Sequence, residues 1–247
     1  MAAVDTVTCG TWGEYKTTVL SYLYGDGLFQ RGDYLFRGQR DAEWELTTSY
    51  DRWFESTGLI ESERIPLAAG LLTEFQREIK HGGDTSLSGV PDDELVALAQ
   101  HYGLPTRLLD WTESPYIGAL FAFADTPTIG EPGGKVAVWA LDTRSHIWTG
   151  ELGVQIIAME AKSNTRLRNQ EGRFTFSRTP FRSLEEYAKH CSGLKTPPLL
   201  RFLIPASERR LALADLEAMG ITPSRMFPDL QGYAVAAKLR QTLKHCP

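Results

Sequence analysis

Gln100–Ala124 reads QHYGLPTRLLDWTESPYIGALFAFA, and its punctuation sets the architecture of the chain. The first residues close a helix. Gly103-Leu104-Pro105 breaks it, because proline lacks an N–H and restricts the residue before it. A short apolar run follows, Leu108-Leu109-Asp110-Trp111, with the length of a strand. Ser114-Pro115 then opens a second helix, since a serine cap and a first-turn proline both suit free backbone N–H groups. A helix–strand–helix passage of this kind belongs to a mixed α/β chain. It also carries His101, Tyr102, Arg107, Asp110 and Thr112, which a simple core would exclude, so it is expected to line a site. Asp110 among apolar neighbours requires a partner. Arg107 is the nearest candidate in sequence, though on a period-two strand it would point to the opposite face; a partner from another segment, Arg37 included, is equally open.

Outward from this stretch, Trp12, Tyr15, Val19 and Tyr22 recur at helical spacing over residues 11–23, with Thr11 as the N-cap. Tyr34 to Gly38 reads as a strand ending at glycine, and Ser49–Phe54 can turn into a helix. Residues 65–80 carry Leu67, Leu71, Leu72, Phe75 and Ile79 on one helical face. Pro91-Asp92-Asp93-Glu94 starts the helix that leads into Gln100. Lys135–Leu141 is a continuous apolar run, the pattern of a central strand buried on both faces. Val154–Ala158, Arg173–Phe176 and Leu199–Ile204 read as further strands, Ser207–Met219 as a helix, Phe227–Gly232 as a turn, and Ala236–Leu239 as part of a closing helix. No repeat or linker divides the 247 residues, so the expectation is one α+β domain, helices first and strands concentrated from the middle onward.

Hydrophobic content of 42% and charged content of 23% are those of a water-soluble globular chain. A net charge of −5 argues against a surface that grips nucleic acid throughout. One segment departs from this balance: Ala161–Lys195 holds eight basic residues against three acidic, interleaved with Phe174, Phe176 and Phe181. That composition suits a single-stranded nucleic acid track or a phosphate-bearing ligand; it equally suits a solvated face over core phenylalanines. Three widely spaced cysteines, no leader pattern at Met1–Val4 and no apolar run near the roughly 20 residues of a membrane helix point to the cytoplasm. No histidine pair has zinc spacing, and the Gly-x-Ser-x-Gly, Gly-Lys-Ser/Thr and dinucleotide glycine motifs are all absent from the sequence. No metal site is expected.

Two segments offer chemistry. Phe36-Arg37-Gly38-Gln39 ends a strand in a guanidinium, a planar fork suited to phosphate or carboxamide oxygen, beside a glycine that lets a ligand approach; an arginine closing a surface turn has the same pattern. At Asp110-Trp111-Thr112, a helix start can receive an anion and Trp111 can stack on a planar ring, or Thr112 and Ser114 can cap while Trp111 fills the core. His101 beside Tyr102 fits turn architecture better than an acid–base pair.

Together Phe36–Gln39, Gln100–Thr112, Gln170-Glu171-Gly172-Arg173-Phe174 and Phe227-Pro228-Asp229-Leu230 resemble the FRG domain, named for its Phe-Arg-Gly motif, over about residues 34–239. The order of these motifs looks like the ADP-ribosyltransferase plan. That resemblance implies a split mixed sheet flanked by helices, with NAD as the substrate. It implies that Arg37, Gly38 and Gln39 hold NAD, that Trp111 stacks on nicotinamide, and that Thr112 and the nearby Tyr116 complete the binding site. It assigns Gln170 or Glu171 the role of polarising the ribose as nicotinamide leaves, since growing positive charge needs an oriented negative oxygen. The implied activity is that of a toxin or anti-phage defence effector that transfers ADP-ribose to a nucleic acid or protein, held in check by an antitoxin or a phage-derived partner. Transfer to water, or a nucleotide-sensing or protein-interaction module without catalysis, would use the same pocket.

Overall fold

In a computed structural model the chain is described over residues 2–25, 27–83, 90–124, 134–150, 153–157 and 172–245. Its centre is the strand β6 (Lys135–Asp142), buried from Val136 onward. Val136, Val138 and Ala140 face one core while Ala137, Trp139 and Leu141 face another, which is why the run is apolar without alternation. On one side β6 pairs antiparallel with β4 (Tyr34–Gln39), and on the other with β9 (Leu199–Pro205). With β1 (Val4–Thr8), β5 (Leu108–Thr112), β7 (Val154–Ile157) and β8 (Gly172–Ser177), they form a seven-stranded mixed sheet. Its order is β1-β9-β6-β4-β5-β8-β7. Only β1 and β9 run parallel among these pairs. A small hairpin, β2 (Tyr24–Gly25) with β3 (Leu28–Phe29), stands apart from it. The single α+β domain is as expected. The strands are not confined to the second half, however: β1, too short and half-exposed to show a pattern, docks onto β9 from the far end of the chain.

The first face is covered by α1 (Trp12–Leu23), α5 (Pro115–Ala124) and α7 (Arg209–Ala218), with α8 (Pro223–Met226) and α9 (Leu230–His245) outside. Thr11 caps α1 by accepting from Glu14 N, as its sequence position predicts. α5 is apolar on nearly every side because it is buried between the sheet and α7. The second face is covered by residues 40–48, by Trp148 and by α6 (Leu184–His190), a short helix that the sequence reading passes over. A third, smaller cluster of Val96, Leu108, Ile157 and Phe174 lies at the β5–β8–β7 end. There α4 (Asp92–His101) and α3 (Arg64–His81) pack, beside α2 (Ser49–Thr57). The expected Phe227–Gly232 turn is shorter than predicted, for α9 already begins at Leu230. No helix among the described residues is long and apolar enough to cross a membrane.

Candidate functional site

The sheet has a fork. β4 pairs with β6 along its whole length, from Tyr34↔Asp142 to Gln39↔Ala137, and β5 pairs with β8 from Leu108↔Phe176 to Thr112↔Gly172. Between β4 and β5 the register holds a single pair, Phe36↔Thr112. Beyond it the Arg37 side chain takes the place of the missing ladder, donating from Nη1 to Asp110 O at 2.8 Å and lying 3.7 Å from Asp110 Oδ2. Gln100 Nε2 donates to both Asp110 oxygens, at 2.9 and 3.0 Å. The partner that Asp110 requires therefore comes from Arg37 and Gln100. Arg107 points the other way, as a period of two predicts, and sits 3.6 Å from Asp51.

That second ion cluster fixes the wall of the fork. Asp51 and Arg64 are both 1% exposed and 3.4 Å apart, and Thr48 Oγ1 donates to Asp51 at 2.5 Å. Burial raises the Asp51 carboxyl above its ordinary value, while Arg107, the Thr48 hydroxyl and Arg64 pull it back. One carboxylate shared by two guanidiniums ties α2 to α3 and to the start of β5. A consequence is that the next residue of α2, Arg52, is presented to the fork.

Two cavities meet at this point. A groove of about 320 Å³ and a cleft of about 970 Å³ share Arg37, Arg52 and Asp110 as lining residues. Burial lowers the Arg37 guanidinium from its ordinary value; Asp110 opposes this and the neighbouring charge of Arg52 adds to it. Arg37 Nε is buried and has no hydrogen-bond partner among the described residues. An unsatisfied buried donor costs about 1–3 kcal/mol, and the buried Nε atoms of Arg107 and Arg201 are in the same state. The larger cleft is lined by Arg37, Arg40, Arg52 and Arg182 and by Glu43, Glu45, Glu55 and Asp110. Four cations against four anions make it balanced overall, and at the junction of the two cavities Arg37 and Arg52 stand against the single carboxylate of Asp110. Trp44, Phe121 and Phe227 supply aromatic surface.

The residues expected to hold a ligand divide sharply. Arg37 is at the centre. Gly38 lines the cleft, yet its missing Cβ serves α5: a Cβ there would stand 2.0 Å from Gly118 O and 2.4 Å from Ala122 N. Gln39 has its amide committed, donating to Glu45 O at 3.0 Å and accepting from Trp139 Nε1 at 2.7 Å. Trp111 and Thr112 both border the cleft, yet Trp111 is 3% exposed with its ring in the core, and its Nε1 donates to Thr175 Oγ1 at 3.0 Å. Thr112 is 2% exposed and accepts from Ser114 N, while Ser114 Oγ accepts from Ile117 N. Both thus act in the turn into α5, the capping alternative of the sequence reading. Tyr116 lies on the α1 side, edge-on to Trp12, and is not among the cleft-lining residues. Gln170 and Glu171 lie outside the described residues, as do Lys162, Arg166 and Arg168 of the basic segment. Of its described cations, Arg173 pairs with Glu113, Arg178 with Asp93, and Arg182 with Glu55 and Glu61. Phe174 belongs to the core.

Arg52, Arg40, Trp44 and Gln100 complete the site without having been singled out for it. Arg52 and Trp44 stand in segments whose pattern signals only a helix and its approach. Gln100 was legible as part of a stretch too polar for a core, though its pairing with Asp110 required the turn at Gly103, whose φ is +91°.

Residues 32–129 match the FRG domain family, and the chain carries an FRG domain over that span. The match contains both arms of the fork, β4 and β5, together with α5, and ends before Gln170 and Phe227. No curated protein and no solved structure matches the chain.

Proposed function

We propose that the cleft at the β4–β5 fork binds NAD and that the protein is an NAD-consuming enzyme of ADP-ribosyltransferase type. The observation that carries this reading is Arg37: its guanidinium spans the fork to Asp110 beside Arg52, at the junction with a cleft of about 970 Å³. Such a volume suits a ligand of dinucleotide size. Paired guanidiniums at one end suit its pyrophosphate. The three motif strands also come together: Phe36, Thr112 and Gly172 stand in one row across β4, β5 and β8. Glu171 directly precedes Gly172 in the sequence, and in this reading it stabilises the ribose cation as the glycosidic bond to nicotinamide breaks. The acceptor is a nucleic acid, a protein or water, and the biological role is that of a toxin or defence effector.

A second reading is favoured by the positions of Trp111 and Thr112. Both border the cleft but are buried and hydrogen-bonded within the fold, so they offer the nicotinamide end only 3% and 2% of their surface. A nucleotide-sensing module without catalysis fits that arrangement. The separating experiment supplies purified protein with NAD labelled in its adenylate half, together with DNA, RNA and cell protein. Free nicotinamide and labelled acceptor are then measured. The enzyme reading expects nicotinamide release that Arg37→Ala and Glu171→Gln each reduce by about 100-fold, a typical loss for one transition-state electrostatic group. Binding of NAD by calorimetry with no nicotinamide over hours would instead establish the sensing module.

A further inference from the structure

We infer that Trp44, with Arg40 stacked on its ring, is the platform that receives the planar base of the nucleotide whose phosphates lie against Arg37 and Arg52. This rests on the nucleotide reading of the cleft and moves the stacking role away from Trp111. Among the six tryptophans, Trp12, Trp111, Trp139 and Trp148 are at most 3% exposed and Trp53 is half-buried, whereas Trp44 is 45% exposed and lines the cleft. The Arg40 guanidinium lies 4.9 Å from its ring centroid, which covers part of the indole and leaves the rest open.

The platform is held in place on both sides. Ala42 N donates to Lys135 O at 3.0 Å, Glu45 O accepts from Gln39 Nε2, and Leu46 N donates to the buried Glu185 carboxylate at 3.0 Å. A loop tied to β6, β4 and α6 within four residues of Trp44 presents the indole with little ordering left to do on binding. The charge pattern selects the ligand. A polyanionic strand would face as many carboxylates as guanidiniums along the cleft wall, while a single nucleotide needs cations in excess only at its phosphate end, where Arg37 and Arg52 outnumber the one carboxylate of Asp110. Stacking of a base on an aromatic side chain contributes about 1–3 kcal/mol.

The test titrates the full chain with ADP-ribose and with inorganic pyrophosphate by calorimetry, for the wild type, Trp44→Phe, Trp44→Leu and Arg37→Ala. ADP-ribose contains the base and both phosphates but no bond to cleave, so the readout is independent of catalysis. The expected result is a loss of about 5- to 150-fold in ADP-ribose affinity for Trp44→Leu. Trp44→Phe retains most of the affinity, pyrophosphate binding is unchanged in both, and Arg37→Ala weakens both ligands. If Trp44→Leu bound ADP-ribose like the wild type while Arg37→Ala lost it, the platform would be refuted and the nucleotide cleft would stand. Equal loss of ADP-ribose and pyrophosphate in Trp44→Leu would also refute it, because stacking cannot act on a ligand without a ring. A wild type that binds neither ligand would overturn the nucleotide reading and the platform with it.

Discussion

Glu185 shows how a residue remote from the cleft governs its wall. It is 6% exposed, and both carboxylate oxygens accept from Leu46 N, at 3.0 and 3.1 Å. Burial raises its pKa from 4.5 to about 7, against the opposing pull of its own and the Leu46 backbone N–H, with Glu45 pushing further upward. The sign follows from proton counts. Between the ordinary value of 4.5 and about 7 the folded chain keeps a proton that the unfolded chain has released, so stability falls as pH rises through that window. Below it the penalty is absent; above it the penalty levels off at about 3 kcal/mol. Glu185→Gln keeps an acceptor for Leu46 N and removes the ionisation. Thermal melts are expected to show the variant matching the wild type near about pH 4.5 and exceeding it by a margin that grows to about pH 7 and then stays level. Parallel curves at every pH would show that Glu185 does not titrate in the fold.

Among the elements, β4 and α5 make the decisive contact, and it passes through two glycines. Gly38 lets the backbone of β4 lie against Gly118 O and Ala122 N, while a Cβ on Gly118 would meet Phe36 Cβ at 3.2 Å and Val138 Cγ1 at 3.4 Å. The first neighbours are helix backbone and cannot give way; the second are side chains that can shift by a few tenths of an ångström. Gly38→Ala is therefore expected to cost about 3 kcal/mol or more, beyond the usual range for overpacking, and Gly118→Ala clearly less, with urea unfolding as the measure. A reversed order would mean that α5 does not cross β4 as described. The same contact explains what was legible in the sequence. The apolar run of β6, the Thr11 cap and the Gly103 break each follow from local chemistry, and so each was readable. The Phe36-Arg37-Gly38-Gln39 motif could be recognised, but the role of Gly38 could not, because it depends on a helix 80 residues later in the chain. Trp111 and Thr112 were equally ambiguous: an aromatic at a strand end looks the same whether it faces a ligand or a core, and only the partners Thr175 and Ser114 decide.

At the scale of the whole molecule, the cleft is assembled from distant pieces: Phe36 to Glu55, Asp110 to Thr112, Phe121, Arg182 and Phe227. No shorter segment contains both the fork and its aromatic wall, so the unfolded chain has no equivalent site. A ligand that binds only the folded state stabilises it by RT ln(1 + [L]/Kd), about 2.7 kcal/mol at a hundredfold excess over Kd. For a domain of this size that corresponds to a rise of about 5–11 °C in Tm. ADP-ribose is expected to give such a rise, and hydrogen exchange should locate it. Slowed exchange is predicted at Gly38–Leu46 and at Asp110, where backbone groups border the cleft. The β1–β9 edge, separated from β4 by β6 in the sheet order, should gain only the uniform protection that accompanies global stabilisation. A Tm rise with the added protection centred on β1 or α9 would place the ligand elsewhere on the molecule. No rise at saturating ADP-ribose would mean that the balanced charges of the cleft serve the fold alone.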